Sequence, residues 1–133
     1  MPNYIFIAIF VISAYLVYRE GSKRYRLSFY NTMSEKQLYS EINGILNSIL
    51  IRQAKHSNYA TSKFHNHNEF IDYINAIKTN LKNNNKEAIE QLYLDFLPTG
   101  MFNDLAINNG WPQDYLKLSK RFDLLYETLI NKN

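Results

Sequence analysis

The chain has no cysteine. That excludes a disulfide framework, a thiolate nucleophile and any zinc site built on sulfur. Glycine occurs four times and proline three times. The glycines are scattered, so no phosphate-cradling loop of the nucleotide-binding type can be assembled. No serine sits in a G-x-S-x-G or S-x-x-K pattern, which removes the usual hydrolase nucleophile contexts. Basic residues are missing from position 87 to position 116, and a second long apolar run is missing altogether. The formal net charge of +3 looks like a mildly basic protein until it is located. Arg19, Lys23, Arg24 and Arg26 against Glu20 account for all of it, and residues 27–133 balance at eleven bases and eleven acids. A nucleic-acid-binding domain would need positive charge spread over a folded face, so no nucleic-acid partner is expected.

What remains is the material of one ordinary domain. At 133 residues, with 46% hydrophobic and 20% charged side chains, the chain can bury a core and is not of the disordered class. Tyr4 to Tyr18 is fifteen residues without a charge, rich in Ile, Val and Phe. As a helix it spans about 22 Å at about 1.5 Å per residue, against a hydrocarbon core of about 30 Å. Met1–Asn3 and a snorkelling Arg19 extend it. Tyr4 at one end and Tyr15 and Tyr18 at the other suit an interfacial aromatic belt. A cleaved signal peptide would need a positive start and a small-residue cleavage site, and Ile12-Ser13-Ala14 is a poor match to one. A buried strand pair is the other alternative, because Ile5, Ile7, Ile9, Val11 and Ile12 are β-branched. The favoured expectation is a single-pass anchor over residues 1–18 in an inner or plasma membrane. Positive charge lies only after the run, which predicts a cytoplasmic C-terminal domain. Arg19, Lys23, Arg24 and Arg26, interleaved with Tyr25, Phe29 and Tyr30, then form a basic, aromatic juxtamembrane segment (19–30) suited to anionic headgroups.

Residues 31–133 read as an α-helical domain. Ser34 and Gln37 make a capping box, with Met33 and Leu38 at the staple positions. Leu38, Ile42, Ile45, Leu46, Ile49 and Leu50 repeat with the period of a helix, predicted over about 35–56. Gly44 inside it predicts a close helix approach. Residues 57–66 are a polar loop. A helix starts near Asn66 with Glu69 as capping partner, carries Phe70, Ile74, Ile77 and Leu81, and ends at Asn83-Asn84-Asn85. The next runs over about 86–97 with Ile89, Leu92, Tyr93 and Phe96 on one face. Pro98-Thr99-Gly100 breaks the chain, a short helix covers 101–108, and Asn108-Asn109-Gly110 closes it. Pro112 opens a last helix, 112–130, with Tyr115, Leu118, Phe122, Leu125 and Leu129 facing inward. The fold class is all-α: one N-terminal transmembrane helix and a bundle of about four or five helices.

Chemistry is sparse. His56, His65 and His67 place no third ligand, so no metal site and no cofactor is expected. Glu87 and Glu90, three apart on a helix, are the nearest approach to an acid pair and suit a solvated first turn. No enzyme is expected. Charge is more informative: Glu87, Glu90, Asp95, Asp104 and Asp114 form an acidic stretch around the only tryptophan, Trp111. Carboxylates steer a basic partner, and tryptophan is favoured at binding hot spots. The bland alternative is that Trp111 caps the bundle core. The layout of an anchor, a compact helical domain, no catalytic set and an acidic face resembles that of small bacterial toxin-immunity proteins, although no motif of such a family is present. It implies a non-enzymatic protein that binds a basic toxin domain. The alternative function is a small accessory subunit of a membrane complex.

Overall fold

Ser34 starts the bundle as its sequence requires. Its hydroxyl accepts the Gln37 amide at 3.2 Å, and the Gln37 side chain accepts the Ser34 amide at 2.8 Å, closing the capping box. The computed structural model describes residues 3–53 and 57–132. Among these are six helices and no strand: α1 (Asn3–Asn31), α2 (Glu35–Arg52), α3 (His67–Lys82), α4 (Lys86–Asp95), α5 (Met101–Asn109) and α6 (Pro112–Lys132). The expected all-α class holds. The expected end of the second helix, 53–56, includes Gln53, which terminates α2; positions 54–56, with His56, lie outside the described residues.

Helices α2 to α6 share one core. Leu38, Ile42, Ile45, Ile49, Phe70, Ile74, Ile77, Leu92, Phe96, Leu118, Phe122 and Leu125 are all buried, as the helical phase demands. Tyr93 is the exception on its expected face. It lies at the edge of the α4 stripe and keeps 38% of its surface exposed. Asn66 caps α3 by accepting the Glu69 amide at 3.0 Å, while the Glu69 carboxylate reaches back to the His65 amide at 2.8 Å. The reciprocal bond is therefore displaced one residue from the expected cap.

Two glycines explain the α4–α5–α6 connections. Gly100 sits where a Cβ would come within 2.6 Å of the Leu94 and Asp95 carbonyl oxygens, so no larger residue fits. Gly110 has φ +81°, the left-handed state that ends α5, and the Trp111 amide then bonds the Ala106 carbonyl at 2.9 Å. Gly44 corrects an expectation. Nothing lies within 4 Å of where its Cβ would stand, so it marks no close helix approach.

The first helix is longer than the apolar run. It continues through the basic segment to Asn31 without a break. From Tyr4 to Tyr18 every residue is exposed, around the whole circumference. Its last turns then join the bundle: Tyr30 is buried, Leu27 is partly buried against the core, and Lys132 of α6 donates to the Asn31 carbonyl at 3.4 Å. The Tyr30 side chain also reaches Arg121, which forms an ion pair with Glu41 of α2. Leu27 and Tyr30, inside the expected juxtamembrane segment, thus belong to the core.

A fragment comprising residues 22–133 is expected to unfold cooperatively in urea. One comprising 31–133, lacking Leu27 and Tyr30, should be less stable by about 2–4 kcal/mol, the scale of losing large buried side chains. Equal midpoints would show that the end of α1 adds nothing to the bundle. Gly100→Ala should cost about 1–3 kcal/mol in the same assay, because three carbonyls cannot all move aside.

Candidate binding face

The acidic stretch does not act as one surface. Asp95 is buried at the end of α4 and accepts hydrogen bonds from the Tyr73 hydroxyl of α3 and from Gln91 Nε2, the latter at 3.2 Å. Lys63 stands 4.0 Å from the centre of the Tyr73 ring and lends its charge to the same group. Burial is the largest influence on Asp95 and raises its pKa above the ordinary 3.8, while the hydrogen bonds and Lys63 pull the other way without overcoming it. Asp95 is thus a tie between α3 and α4.

Trp111 is also an interior group. It is buried, and its indole Nε1 donates to Gln53 Oε1 at 3.0 Å, which joins the start of α6 to the end of α2. Asp114, one turn further along, pairs with Arg52 at 2.9 Å in a half-exposed bridge at the same junction. The tryptophan therefore occupies the place that the bland alternative gave it. Three of the six expected contact residues remain exposed: Glu87 and Glu90 on α4 and Asp104 on α5.

Near Glu90 and Asp104 the structure places residues that the sequence did not connect with them. Tyr93 of α4 stacks on Tyr126 of α6, ring centres 4.6 Å apart and planes 23° apart. The Tyr126 hydroxyl donates to the Glu90 carboxylate at 3.0 Å. Burial, with Glu90 beside it, raises the Tyr126 pKa, so the hydroxyl stays a donor. Asp104 and Asp123 both act on the Tyr115 hydroxyl, which bonds the Phe96 carbonyl at 2.9 Å, so the two carboxylates belong to one region of the α4–α5–α6 side. Leu94 lies one turn from Glu90, and Ile107 one turn from Asp104; both are more than half exposed. Helices α4, α5 and α6 thus carry exposed carboxylates, a stacked tyrosine pair and exposed aliphatic groups.

His65 lies in the polar loop and His67 opens α3. His65 Nδ1 lies 3.1 Å from Glu69, and His67 Nδ1 lies 2.6 Å from the Tyr59 hydroxyl. Among the described residues no three His, Asp or Glu side chains come close enough to hold a metal ion. On α1, Arg19, Lys23 and Arg26 fall on one helical face at i, i+4, i+7, while Arg24 pairs with Glu20 at 3.5 Å in an exposed bridge. The helix is long and apolar enough to cross a membrane. No protein-family model, no curated protein and no solved structure matches the chain.

Asp95 gives a pH signature. Its folded pKa lies above its unfolded value, so its contribution to stability is fully present below the ordinary 3.8 and is lost as pH rises through the folded value. Against Asp95→Asn, which cannot titrate, the parent should gain stability as pH falls from about 7 to about 4.5. Urea midpoints of both proteins at the two pH values check this. A parent that loses ground to the variant on acidification would show that the ionised carboxylate is the favoured buried form.

Proposed function

We propose that the protein is a membrane-anchored, non-enzymatic binding protein of the immunity type, which captures a basic toxin domain on its α4–α5–α6 face. The observation that carries this is Glu90 held by the Tyr93–Tyr126 stack, with the exposed carboxylates Asp104 and Asp123 grouped around Tyr115 on the same three helices, whose α4–α5 sequence holds no base after Lys86. Carboxylates attract a basic partner from a distance and set its orientation, whereas stacked tyrosines offer a rigid amphipathic contact at little entropic cost. A lysine or arginine of the partner over the Tyr93 ring would add a cation–π contact, with Glu90 as its counter-ion. Leu94 and Ile107 supply the apolar component.

The anchor is α1. An interfacial helix would have a polar face along its length, and α1 has none between Tyr4 and Tyr18, where Ser13 is the one strongly polar side chain besides the tyrosine hydroxyls. At about 1.5 Å per residue the 29-residue helix is about 43 Å long, enough to cross a core of about 30 Å and still reach the bundle. Arg19 and Lys23 then lie at the cytoplasmic headgroups of an inner or plasma membrane, Arg26 lies just beyond them, and the bundle lies in the cytoplasm. A second function, accessory subunit of a membrane complex, is favoured by Tyr25, among the basic residues, and Phe29, between them and the bundle, both of which stay exposed.

Full-length protein extracted from its native membranes, compared with the Glu90→Lys/Asp104→Lys variant, separates the two. The expected result is a basic protein retained by the parent and released both by the variant and by about 0.5 M salt, with association slowed about tenfold or more at low salt. Integral membrane subunits retained equally by both proteins would favour the accessory role. A bound protein indifferent to salt and to the charge reversals would remove this face. A reporter fused after Asn133 tests topology, and periplasmic activity of that fusion would reverse the assigned orientation.

A further inference from the structure

On α2, Lys36, Ser40 and Asn43 stand along one face; on α3, Asn75, Thr79 and Lys82 stand along another, each series spaced by about one turn. These faces oppose each other across an open groove of about 450 Å³, a volume in the range of small-molecule sites. Lys78 also lines it, so three ammonium groups share the groove, and no carboxylate lines it. Tyr39 and Leu81, both buried, contribute to its wall. The Tyr39 hydroxyl is engaged by Glu35, to which it donates at 2.9 Å, and that carboxylate is not part of the lining.

We propose that the α2–α3 groove binds a small phosphorylated ligand. Lysine meets phosphate as a compact point charge, and three of them around one groove match an anion carrying more than one negative charge. Lys78 is pre-positioned. Lys78 Nζ donates to Asn47 Oδ1 at 2.6 Å, which uses one of its three protons, orients the head and leaves two donors. Asn43, Asn75 and the Ser40 and Thr79 hydroxyls supply neutral donors for the ester or sugar portion. Residues 27–133 are neutral overall, so this concentration of positive charge is the counterpart of the acidic face on α4–α5–α6.

The proposal needs neither the partner nor the anchor. The anchor bears only on the source of the phosphate. With α1 in a bilayer, the thirteen residues from Tyr18 to Asn31 rise about 20 Å at about 1.5 Å per residue, beyond a headgroup layer of about 5–8 Å per leaflet. Lys36, five residues after Asn31, then stands in the aqueous phase, which favours a soluble phosphate over a lipid headgroup.

The test uses the full chain in zwitterionic nanodiscs and inorganic pyrophosphate as the probe, followed by calorimetry at about 0.15 M salt. The expected result is saturable binding that Lys78→Gln/Lys82→Gln weakens at least tenfold, while Lys117→Gln on α6 leaves it unchanged. Thermal unfolding of each variant confirms that the fold is kept. A second arm uses nanodiscs containing a phosphoinositide without added pyrophosphate. Binding only in that arm, with the same dependence on Lys78 and Lys82, would uphold the phosphate site and make its source a lipid. Equal binding by parent and double variant, or no binding in either arm, would overturn the proposal.

Discussion

A run of packed rings connects the interior of the bundle to its candidate face. Phe102 of α5 meets Phe96 at 4.8 Å between centres, Phe96 stacks on Phe122 at 4.6 Å, Phe122 meets Tyr126 at 6.0 Å, and Tyr126 stacks on Tyr93 at 4.6 Å. Three helices, α4, α5 and α6, are thereby held at one spacing. Offset and edge-on ring contacts add about 0.5–1.5 kcal/mol each beyond the area they bury. Their directional geometry matters as much, because it leaves few ways to repack. Gly100 is part of this arrangement. Only a residue without a side chain lets the chain turn tightly enough after Phe96 to return Phe102 to it.

Polar ties then lock the remaining helices to that framework. Asp95 accepts from Tyr73 and so joins α4 to α3, Trp111 donates to Gln53 and joins α6 to α2, and Arg121 pairs with Glu41 beside Tyr30 of α1. Each tie uses a group that would be costly to bury without its partner. They are also the reason why the acidic residues separate into two kinds. A carboxylate near the end of an amphipathic helix can face inward, as Asp95 does, when a neighbouring helix offers a hydroxyl. The same charge two turns away faces water.

This division marks how far the sequence could be read. The caps, helix phases, Gly110 stop and core stripe are local properties, set by spacing within a few residues, and Ser34, Asn66, Pro112 and the buried leucines and isoleucines stand where that spacing put them. The candidate face is a tertiary property. Tyr126 and Asp123 lie more than thirty and nearly twenty residues from Glu90 and Asp104 respectively, and nothing in their own neighbourhood says that α6 packs beside α4 and α5. One signal was available. Tyr126 lies four residues after Phe122, at the margin of the α6 stripe, where a half-buried aromatic can turn its hydroxyl to a neighbour. Trp111, for which the sequence left both a contact role and a core cap open, is decided by the same kind of tertiary fact. Its position beside a turn and among acids was compatible with either, and the left-handed Gly110 directs the chain back so that Gln53 accepts the indole proton inside.

The continuity of α1 with the bundle bears on how binding would work at a membrane. A glycine- or serine-rich linker would let the domain tumble and would spread its faces over many orientations. Here the helix that carries the apolar run also carries Leu27 and Tyr30 to the core, so no linker separates the apolar rod from the bundle. Fixing such a body in a bilayer limits the directions in which the acidic face and the α2–α3 groove point. A partner that meets a face already oriented and already rigid loses less freedom on association, and more of the contact energy appears as affinity. The opposite charges of the face and the groove add a second selection. On the proposed reading, a basic protein would be drawn to one side and a small anion to the other, so the two could be held at once without competing for the same carboxylates or the same lysines.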